Sequence, residues 1–175
     1  MRILPLLAAA FLTAVPAFAA DTVDALLAKV GREAVLLSDL QRFRDVSAVL
    51  DCAGVVRREA ALSEDKKALL DAYVEEELMF QEARSRKIST AGLIPQAVKS
   101  IHKTDACKTR WQKLGDEYSK VFRTENRARE GESLLVRELE KRVLVERFRK
   151  SEAAADGEVW KREAKSRYPV KVYLE

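Results

Sequence analysis

The apolar and polar positions of this chain repeat with two different periods, and the helical period dominates. Between residues 69 and 88, apolar side chains recur every three or four positions, which is typical of one side of an α-helix. The apolar side consists of Leu69, Ala72, Tyr73, Phe80 and Ala83, and the opposite polar side of Asp71, Glu75, Glu82 and Arg86. Leu70, Val74 and Leu78 widen the apolar side, so we expect this helix to pack against more than one neighbour. Ser63 is its predicted N-cap.

Further segments with the helical period lie on both sides of this one. They are residues 39–51, 94–101, 105–123 and 133–150, and a short segment around Val159 and Trp160. Ser38, Ser133 and Asp156 are the predicted N-caps of the first, fourth and last of them. The polar stretch 123–132 is predicted to be a solvated connection or a frayed helix end. Apolar side chains form two edges on segment 133–150, one with Leu135, Leu139 and Val143 and the other with Leu134, Val145 and Phe148.

The second period belongs to strands at the two ends of the chain. Residues 26–30 and 34–37 are apolar runs around a three-residue loop, Gly31-Arg32-Glu33, and residues 170–174 alternate between apolar and polar. An isolated hairpin is only marginally stable in water, and a lone terminal strand needs a partner. The sequence therefore predicts a mainly α domain of five to six helices. It also predicts a small antiparallel sheet formed by the N-terminal hairpin and the C-terminal strand.

The first nineteen residues are predicted to be a cleaved secretory signal peptide. Arg2 is followed by the apolar run Ile3–Val15 and by the small-residue box Ala17-Phe18-Ala19. The apolar run is short for a membrane-spanning helix, although an uncleaved anchor is the alternative. We therefore expect residues 20–175 to be a single periplasmic domain, with no membrane insertion after cleavage.

Charge excludes one class of partner. Charged residues make up 34% of the chain, and the formal net charge is +4. Both signs are interspersed, which indicates a solvated helical surface rather than a basic patch. Nucleic acid is also an improbable partner for an exported chain, so we expect none.

The two cysteines, Cys52 and Cys107, are predicted to form a disulfide, because an exported chain enters a compartment that permits one. Two buried free thiols are the alternative. Since there is no Cys-x-x-Cys motif, a thiol oxidoreductase is not expected. His102 is the only histidine and has no second ligand at a suitable spacing, so we interpret it as a helix-end residue. We expect no metal site and no cofactor.

An apolar stripe on segment 105–123 has two interpretations. It consists of Cys107, Trp111, Leu114, Tyr118, Val121 and Phe122. The stripe can pack on the core, or part of it can line a groove for extended or partly folded polypeptide. Gly115 weakens the helix by roughly 1 kcal/mol relative to Ala and could allow movement there.

No catalytic residues are predicted. Glu75, Glu76 and Glu77 are consecutive, and consecutive side chains of a helix point about 100° apart, so they cannot converge on one substrate atom. We interpret them as part of a solvated face. The sequence also lacks a nucleophile elbow, a phosphate loop and a metal-ligand cluster.

Several segments together resemble SurA-type periplasmic chaperones. VDALLAKVGREAVLLSDLQRF resembles the strand, turn, strand and first helix of the N-terminal domain of that family. LLDAYVEEELMFQEARSRKIS resembles its next helix, and VRELEKRVLVERFRKSEA its long closing helix. WKREAKSRYPVKVYLE is similar to the segment that rejoins the N-terminal sheet. These segments follow the order of the family and cover a little over half of residues 20–175.

The chain departs from the family pattern in two respects. In the family, one or two parvulin-type prolyl isomerase domains follow the N-terminal helices. This sequence leaves no room for one, so we expect no isomerase activity. Region 88–132 also fits the family poorly, with its own cysteine and its own aromatic stripe.

The resemblance implies a chaperone that binds unfolded exported polypeptides, including outer-membrane proteins during assembly. The candidate polypeptide-binding residues are Leu93, Ile94, Trp111, Tyr118 and Phe122. The first alternative is a non-catalytic periplasmic module that binds one fixed partner or a second copy of itself. The second alternative is an enzyme, for which prolyl isomerase would be the label inherited from the family name.

Overall fold

The computed structural model of the chain describes residues 24–56, 59–122, 124–153 and 158–173. The predicted signal peptide, the predicted cap Asp156 and the end of the predicted C-terminal strand lie outside these ranges. The elements in chain order are β1 (Leu26–Val30), β2 (Glu33–Leu36), α1 (Leu37–Cys52), a 3₁₀ turn (Glu59–Leu62), α2 (Lys66–Ser85), α3 (Leu93–His102), α4 (Asp105–Ser119), α5 (Arg127–Phe148), a π-helical turn (Arg149–Ala153), α6 (Val159–Arg167) and β3 (Val170–Val172). The predicted mainly α fold with a small sheet is confirmed.

The two ends of the described chain meet in one antiparallel sheet with the strand order β2-β1-β3. In the β1–β3 pair, Val30 lies opposite Val170 and Ala28 lies opposite Val172. The predicted pairing of the C-terminal strand with the N-terminal hairpin is therefore confirmed. The hairpin loop is shorter than predicted, because Glu33 already pairs with Val30 and only Gly31 and Arg32 remain in the turn.

The N-caps of α1 and α2 differ from their predictions. Helix α1 follows β2 without a linker, so its N-cap is Leu36 rather than Ser38. The carboxylate of Asp39 accepts a hydrogen bond from the Leu36 N–H at 2.8 Å and closes the first turn. The N-cap of α2 is Asp65 rather than Ser63, because the Asp65 carboxylate accepts from the backbone N–H groups at positions 67 and 68. A carboxylate at this end is also favoured by the helix dipole.

Helix α5 begins at Arg127, six residues before the predicted cap Ser133. Residues 127–132 of the predicted connection therefore form the first turns of this helix. Gly131 explains the difference, because it is buried where α5 crosses α4. A Cβ atom at Gly131 would lie 2.7 Å from the Ser119 nitrogen and 2.8 Å from the Gly115 oxygen. The sequence around Gly131 is polar because the rest of this end of α5 faces solvent.

The core consists of two clusters of buried side chains, with α5 between them. The sheet cluster joins the sheet to α1, α2, α6 and the end of α5, and includes Val30, Phe43, Leu78, Val145, Phe148 and Trp160. The helix cluster joins α1, α3, α4 and α5, and includes Leu50, Ile101, Trp111, Leu114, Leu135 and Leu139. The two predicted apolar edges of α5 thus face different neighbours. Leu134 was assigned to the wrong edge, because it packs against the helix cluster.

A disulfide between Cys52 and Cys107 joins the end of α1 to the first turn of α4, with the two Cα atoms 5.8 Å apart. The predicted bridge is confirmed. None of the helices in the described ranges is long and apolar enough to cross a bilayer.

Candidate functional site

The five residues predicted to contact polypeptide occupy different environments. Trp111 and Tyr118 are each only 8% exposed, and they pack in the helix cluster against α1 and α5. Leu93, Ile94 and Phe122 are half-buried at the surface. The part of the predicted stripe within α4 therefore packs on the core, which is the first of the two interpretations of its sequence pattern. Val121 lies beyond the end of this helix at Ser119 and is exposed, so the core interpretation does not hold for it. Of the five predicted residues, only Leu93, Ile94 and Phe122 therefore reach the surface, and Leu93 lines a groove there.

Leu93 lines a groove between α3 and the C-terminal end of α5, which we call the helix groove. Its volume is about 470 Å³. The apolar floor consists of Val55, Val56, Leu93, Ala97 and Val143, and the polar rim of Gln96, Ser100, Glu146, Arg147, Lys150 and Ser151. This volume lies in the range of small-molecule and side-chain binding sites.

Two glycines shape the helix groove. Gly54 (φ +65°) ends α1, and the following N–H of Val55 donates to the Leu50 carbonyl at 2.9 Å, which directs Val55 and Val56 into the groove. Gly92 (φ +79°) precedes α3, so that Leu93 is the first residue of that helix. The sequence pattern indicated Leu93 but not Val55 and Val56. A pair of valines directly after a helix-ending glycine was the available signal.

The rim of the helix groove carries two cations and one carboxylate. Glu146 lies 3.0 Å from Lys150 and 3.3 Å from Arg149, so its charge is already paired. Arg147 is exposed and makes no ion pair among the described residues. The groove can therefore bury one or two apolar side chains of a ligand while a polar backbone stays near its rim. The apolar surface is divided by polar groups, which limits association between copies of the protein.

The prediction that Glu75, Glu76 and Glu77 form a solvated face is wrong for two of them. Glu76 and Glu77 are 1% and 5% exposed, and they pair with Arg142 and Lys141 of α5. Only Glu75 is half-exposed, and it lies 3.5 Å from Lys161. The cations that make burial possible follow more than sixty positions later in the sequence. No local pattern could therefore reveal them.

Glu82 also departs from its predicted place on the polar side of α2. It is fully buried, and its carboxylate lies 2.9 Å from Arg86 and 3.1 Å from Arg167 of α6. Buried carboxylates of this kind are tolerated only where cations compensate their lost hydration. They hold α2 against α5 and α6.

Tyr73, Glu77 and Lys141 line a second, more polar pocket of about 550 Å³ between β2, α2 and α5. The Lys141 ammonium donates to Glu77 and lies 3.4 Å from the Tyr73 oxygen. Burial, opposed in part by Lys141, raises the pKa of Tyr73 to about 12. Burial lowers the pKa of Lys141, but Tyr73 and Glu77 outweigh that effect, so the pKa of Lys141 is raised. Lys141 contacts both Glu77 and Tyr73, so the Glu77 carboxylate is already paired.

The remaining chemical candidates stand apart from these pockets. His102 is the exposed last residue of α3, where it was predicted to end a helix. Within the described ranges, no three His, Cys, Asp or Glu side chains lie close enough together to hold a metal ion.

Comparison with known proteins adds no family assignment. No family model matches the chain, and no curated protein and no solved structure is significantly similar to it. The resemblance to SurA-type chaperones stays a prediction from the sequence.

Proposed function

We propose that the protein is a periplasmic chaperone that binds unfolded or partly folded exported polypeptides, including outer-membrane proteins, without prolyl isomerase activity. The predicted signal peptide supports the location, and the sequence resemblance supports the class of ligand. The helix groove is the observation that carries the proposal. It is an open apolar surface on a frame that a disulfide and two packed clusters keep rigid.

The shape of the helix groove suits a polypeptide with few sequence requirements. Its floor is made of aliphatic side chains, which accept any apolar side chain of suitable size without directional bonds. Its rim offers the hydroxyl, amide and guanidinium groups of Ser100, Gln96 and Arg147 to a polar backbone. A ligand of this kind would be held by burial of one or two side chains at a time. Such weak contacts allow release before folding.

The proposal is tested by substituting the floor of the helix groove. In Leu93→Glu the charge enters the apolar floor, while a carboxylate in the first turn of α3 is favoured by the helix dipole and leaves the helix intact. Val121→Glu is the matched control, because Val121 is 73% exposed and lies outside the groove. The measurement is light scattering during aggregation of an unfolded outer-membrane barrel protein, with residues 20–175 in several-fold excess.

We expect the unmodified protein and Val121→Glu to slow aggregation equally, and Leu93→Glu to lose at least half of the effect. The proposal would be contradicted if the unmodified protein left the aggregation rate unchanged. If Leu93→Glu slows aggregation as well as the unmodified protein does, the binding surface lies outside the helix groove.

A fixed partner could bind to α5 only if one of the two apolar edges of that helix were exposed. Leu135, Leu139, Val145 and Phe148 are all at most 1% exposed, so both edges of α5 are occupied within the chain. We therefore prefer the chaperone. Binding of a second copy, or of one stoichiometric partner, stays a prediction that light scattering after size-exclusion chromatography can test.

A further inference from the structure

Strand β3 leaves one of its edges unpaired. The Gly31 N–H donates to the Pro169 carbonyl, and the Tyr173 N–H donates to the Leu27 carbonyl, each at 2.9 Å. Residues 169, 171 and 173 thus direct their backbone groups towards β1. Because successive residues of a strand alternate, Val170 and Val172 direct their N–H and C=O groups away from β1. In the strand order β2-β1-β3, no described residue pairs with that outer edge.

A groove runs beside this edge, and we call it the strand groove. Its volume is about 1150 Å³, and it is bounded by α2, α6, the 3₁₀ turn and β3. Apolar side chains form its floor, namely Ala60, Ala68, Ala72, Leu78, Val170 and Val172. Val172 is 52% exposed beside it, so the apolar face of the sheet is not covered at its last strand.

The sheet and the strand groove have the geometry that a fourth strand requires. Val170 and Val172 lie opposite Val30 and Ala28, and paired residues point to the same face of a sheet. That face is the one covered by the sheet cluster. A strand added about 4.8 Å beyond β3 would lie over the strand groove, with every second side chain directed into it.

The charges of the strand groove indicate what kind of strand fits. Three cations and three carboxylates line it, namely Arg149, Lys161, Lys165, Glu59, Asp71 and Glu75. This balanced lining complements an uncharged, apolar segment better than a strongly acidic or basic one. A second copy of the chain is a poorer occupant, because β3 offers only two outward-facing residues. A stable dimer usually buries about 1600 Å² in total.

We propose that an extended apolar segment of an unfolded polypeptide binds as a fourth strand on the free edge of β3, with alternate side chains in the strand groove. This inference rests on the proposed function and names a second contact surface for the same ligands. Main-chain hydrogen bonds supply binding that does not depend on sequence, and the apolar floor selects alternating apolar side chains. The shortness of β3 and the exposed Lys171 protect the edge from pairing between copies.

The test removes one outward donor and keeps the rest of the sheet. In Val172→Pro the outward N–H is lost, while the bonds to β1 use the neighbouring residues and are kept. Val172→Ala is the matched control, because it shortens the same side chain but keeps the N–H. The probe is a fluorescent peptide of alternating valine and threonine with a lysine at each end, and binding is followed by fluorescence anisotropy.

We expect Val172→Pro to weaken binding about tenfold, the loss expected for one main-chain hydrogen bond, and Val172→Ala to weaken it less than about twofold. Equal weakening in both variants, or none in either, would show that the edge is not used. Circular dichroism tests whether both variants are folded.

Amide hydrogen exchange on the unmodified protein gives an independent measurement if Val172→Pro fails to fold. The probe peptide should slow exchange of the Val170 and Val172 amides and leave the Lys171 amide, which already faces β1, unchanged. Unchanged exchange at Val170 and Val172 overturns the inference, as does sedimentation showing that two copies pair through this edge. If the protein slows aggregation but does not bind the probe, strand addition is wrong and the proposed function stands. If it does neither, both are wrong.

Discussion

At the scale of single residues, buried charges decide how α2 sits in the molecule. Glu76, Glu77 and Glu82 lie on its buried sides, and each has a cation from α5 or α6 beside it. Removing such a carboxylate from water is costly, and the cost is offset only while its partner is present. The pairs therefore make the docking of α2 specific, since a shifted helix would leave a buried charge alone.

The pair of Glu76 and Arg142 is the most deeply buried, with side chains 1% and 3% exposed. We expect Arg142→Met to lower the free energy of unfolding by about 3–5 kcal/mol, because it takes the guanidinium away from a buried carboxylate. The double variant with Glu76→Met should recover most of that loss. Urea denaturation of both variants measures the difference. A double variant less stable than the single one would contradict this account of the pair.

Titration of Tyr73 should lower the free energy of unfolding at alkaline pH. Its pKa is raised by burial from 10.0 to about 12, so the native state holds its proton more tightly than the unfolded state does. The free energy of unfolding keeps the contribution of protonated Tyr73 in full below pH 10 and loses it as the pH rises to 12. With roughly 1.4 kcal/mol per pKa unit, the loss is about 2–3 kcal/mol. Urea denaturation at pH 9 and at pH 11.5 measures it.

Tyr73→Phe is the control for that experiment, because it keeps the ring and removes the titrating hydroxyl. Its stability should fall less between the two pH values than that of the unmodified protein. Burial also raises the pKa of Tyr118, so some decline remains in the variant. Identical declines would show that Tyr73 does not titrate in this range.

Single residues were predictable where composition or local spacing determined their role. His102 was correctly placed at a helix end, and the pairing of the two cysteines followed from the predicted compartment. The burial of Glu76 and Glu77 was not predictable, because it depends on cations that only the folded chain brings near. The burial of Trp111 and Tyr118 was one of two interpretations, since periodicity alone does not distinguish a core stripe from a groove.

At the scale of elements, the crossing of α4 and α5 depends on Gly131. Gly131→Ala should lower the free energy of unfolding by about 1–3 kcal/mol, because the new Cβ would lie 2.7–2.9 Å from the backbone of Ser119 and must push the helices apart. Thermal or urea denaturation measures the change.

Gly115→Ala is the matched control, on the facing helix at the same crossing. Its Cβ would meet only the Leu135 side chain at 3.5 Å, an ordinary contact. Alanine also favours the helix by up to about 1 kcal/mol, so this variant should be unchanged or more stable. Equal destabilisation by both substitutions would mean that the close approach at Gly131 is not what sets the crossing.

The elements themselves were predictable, and their first turns were not. Periodicity located every helix that the structure describes, because burial on one side dictates the spacing of apolar residues. The start of α5 was missed because stretch 123–132 is almost entirely polar in sequence, whereas Gly131 within it serves close packing in the structure. Ser38 and Ser63 were preferred as caps over the carboxylates of Asp39 and Asp65, which close the first turns instead.

At the scale of the whole molecule, pairing of β1 with β3 brings both ends of the described chain to one side of the helical body. This closure was predictable, because a lone terminal strand had only one hairpin to join. It also creates the strand groove, which no linear pattern could show. The groove forms only when α2, α6 and β3 are assembled.

The two grooves lie around the same end of α5. Arg147 and Lys150 border the helix groove, and Arg149 borders the strand groove. Since neighbouring residues of a helix point about 100° apart, the two sites occupy different sides of one helix end. An extended polypeptide could therefore contact both in succession, which would strengthen binding through an increased effective concentration.

The central claim is that unfolded polypeptide binds to these two surfaces, and NMR of residues 20–175 tests it most directly. On addition of an unfolded outer-membrane barrel protein, we predict changes at the methyl groups of Leu93 and Val143 and at the amides of Val170 and Val172. The ring signals of Trp111 and Tyr118 should stay unchanged. Changes confined to those two rings, or a spectrum that does not change at all, would contradict the account.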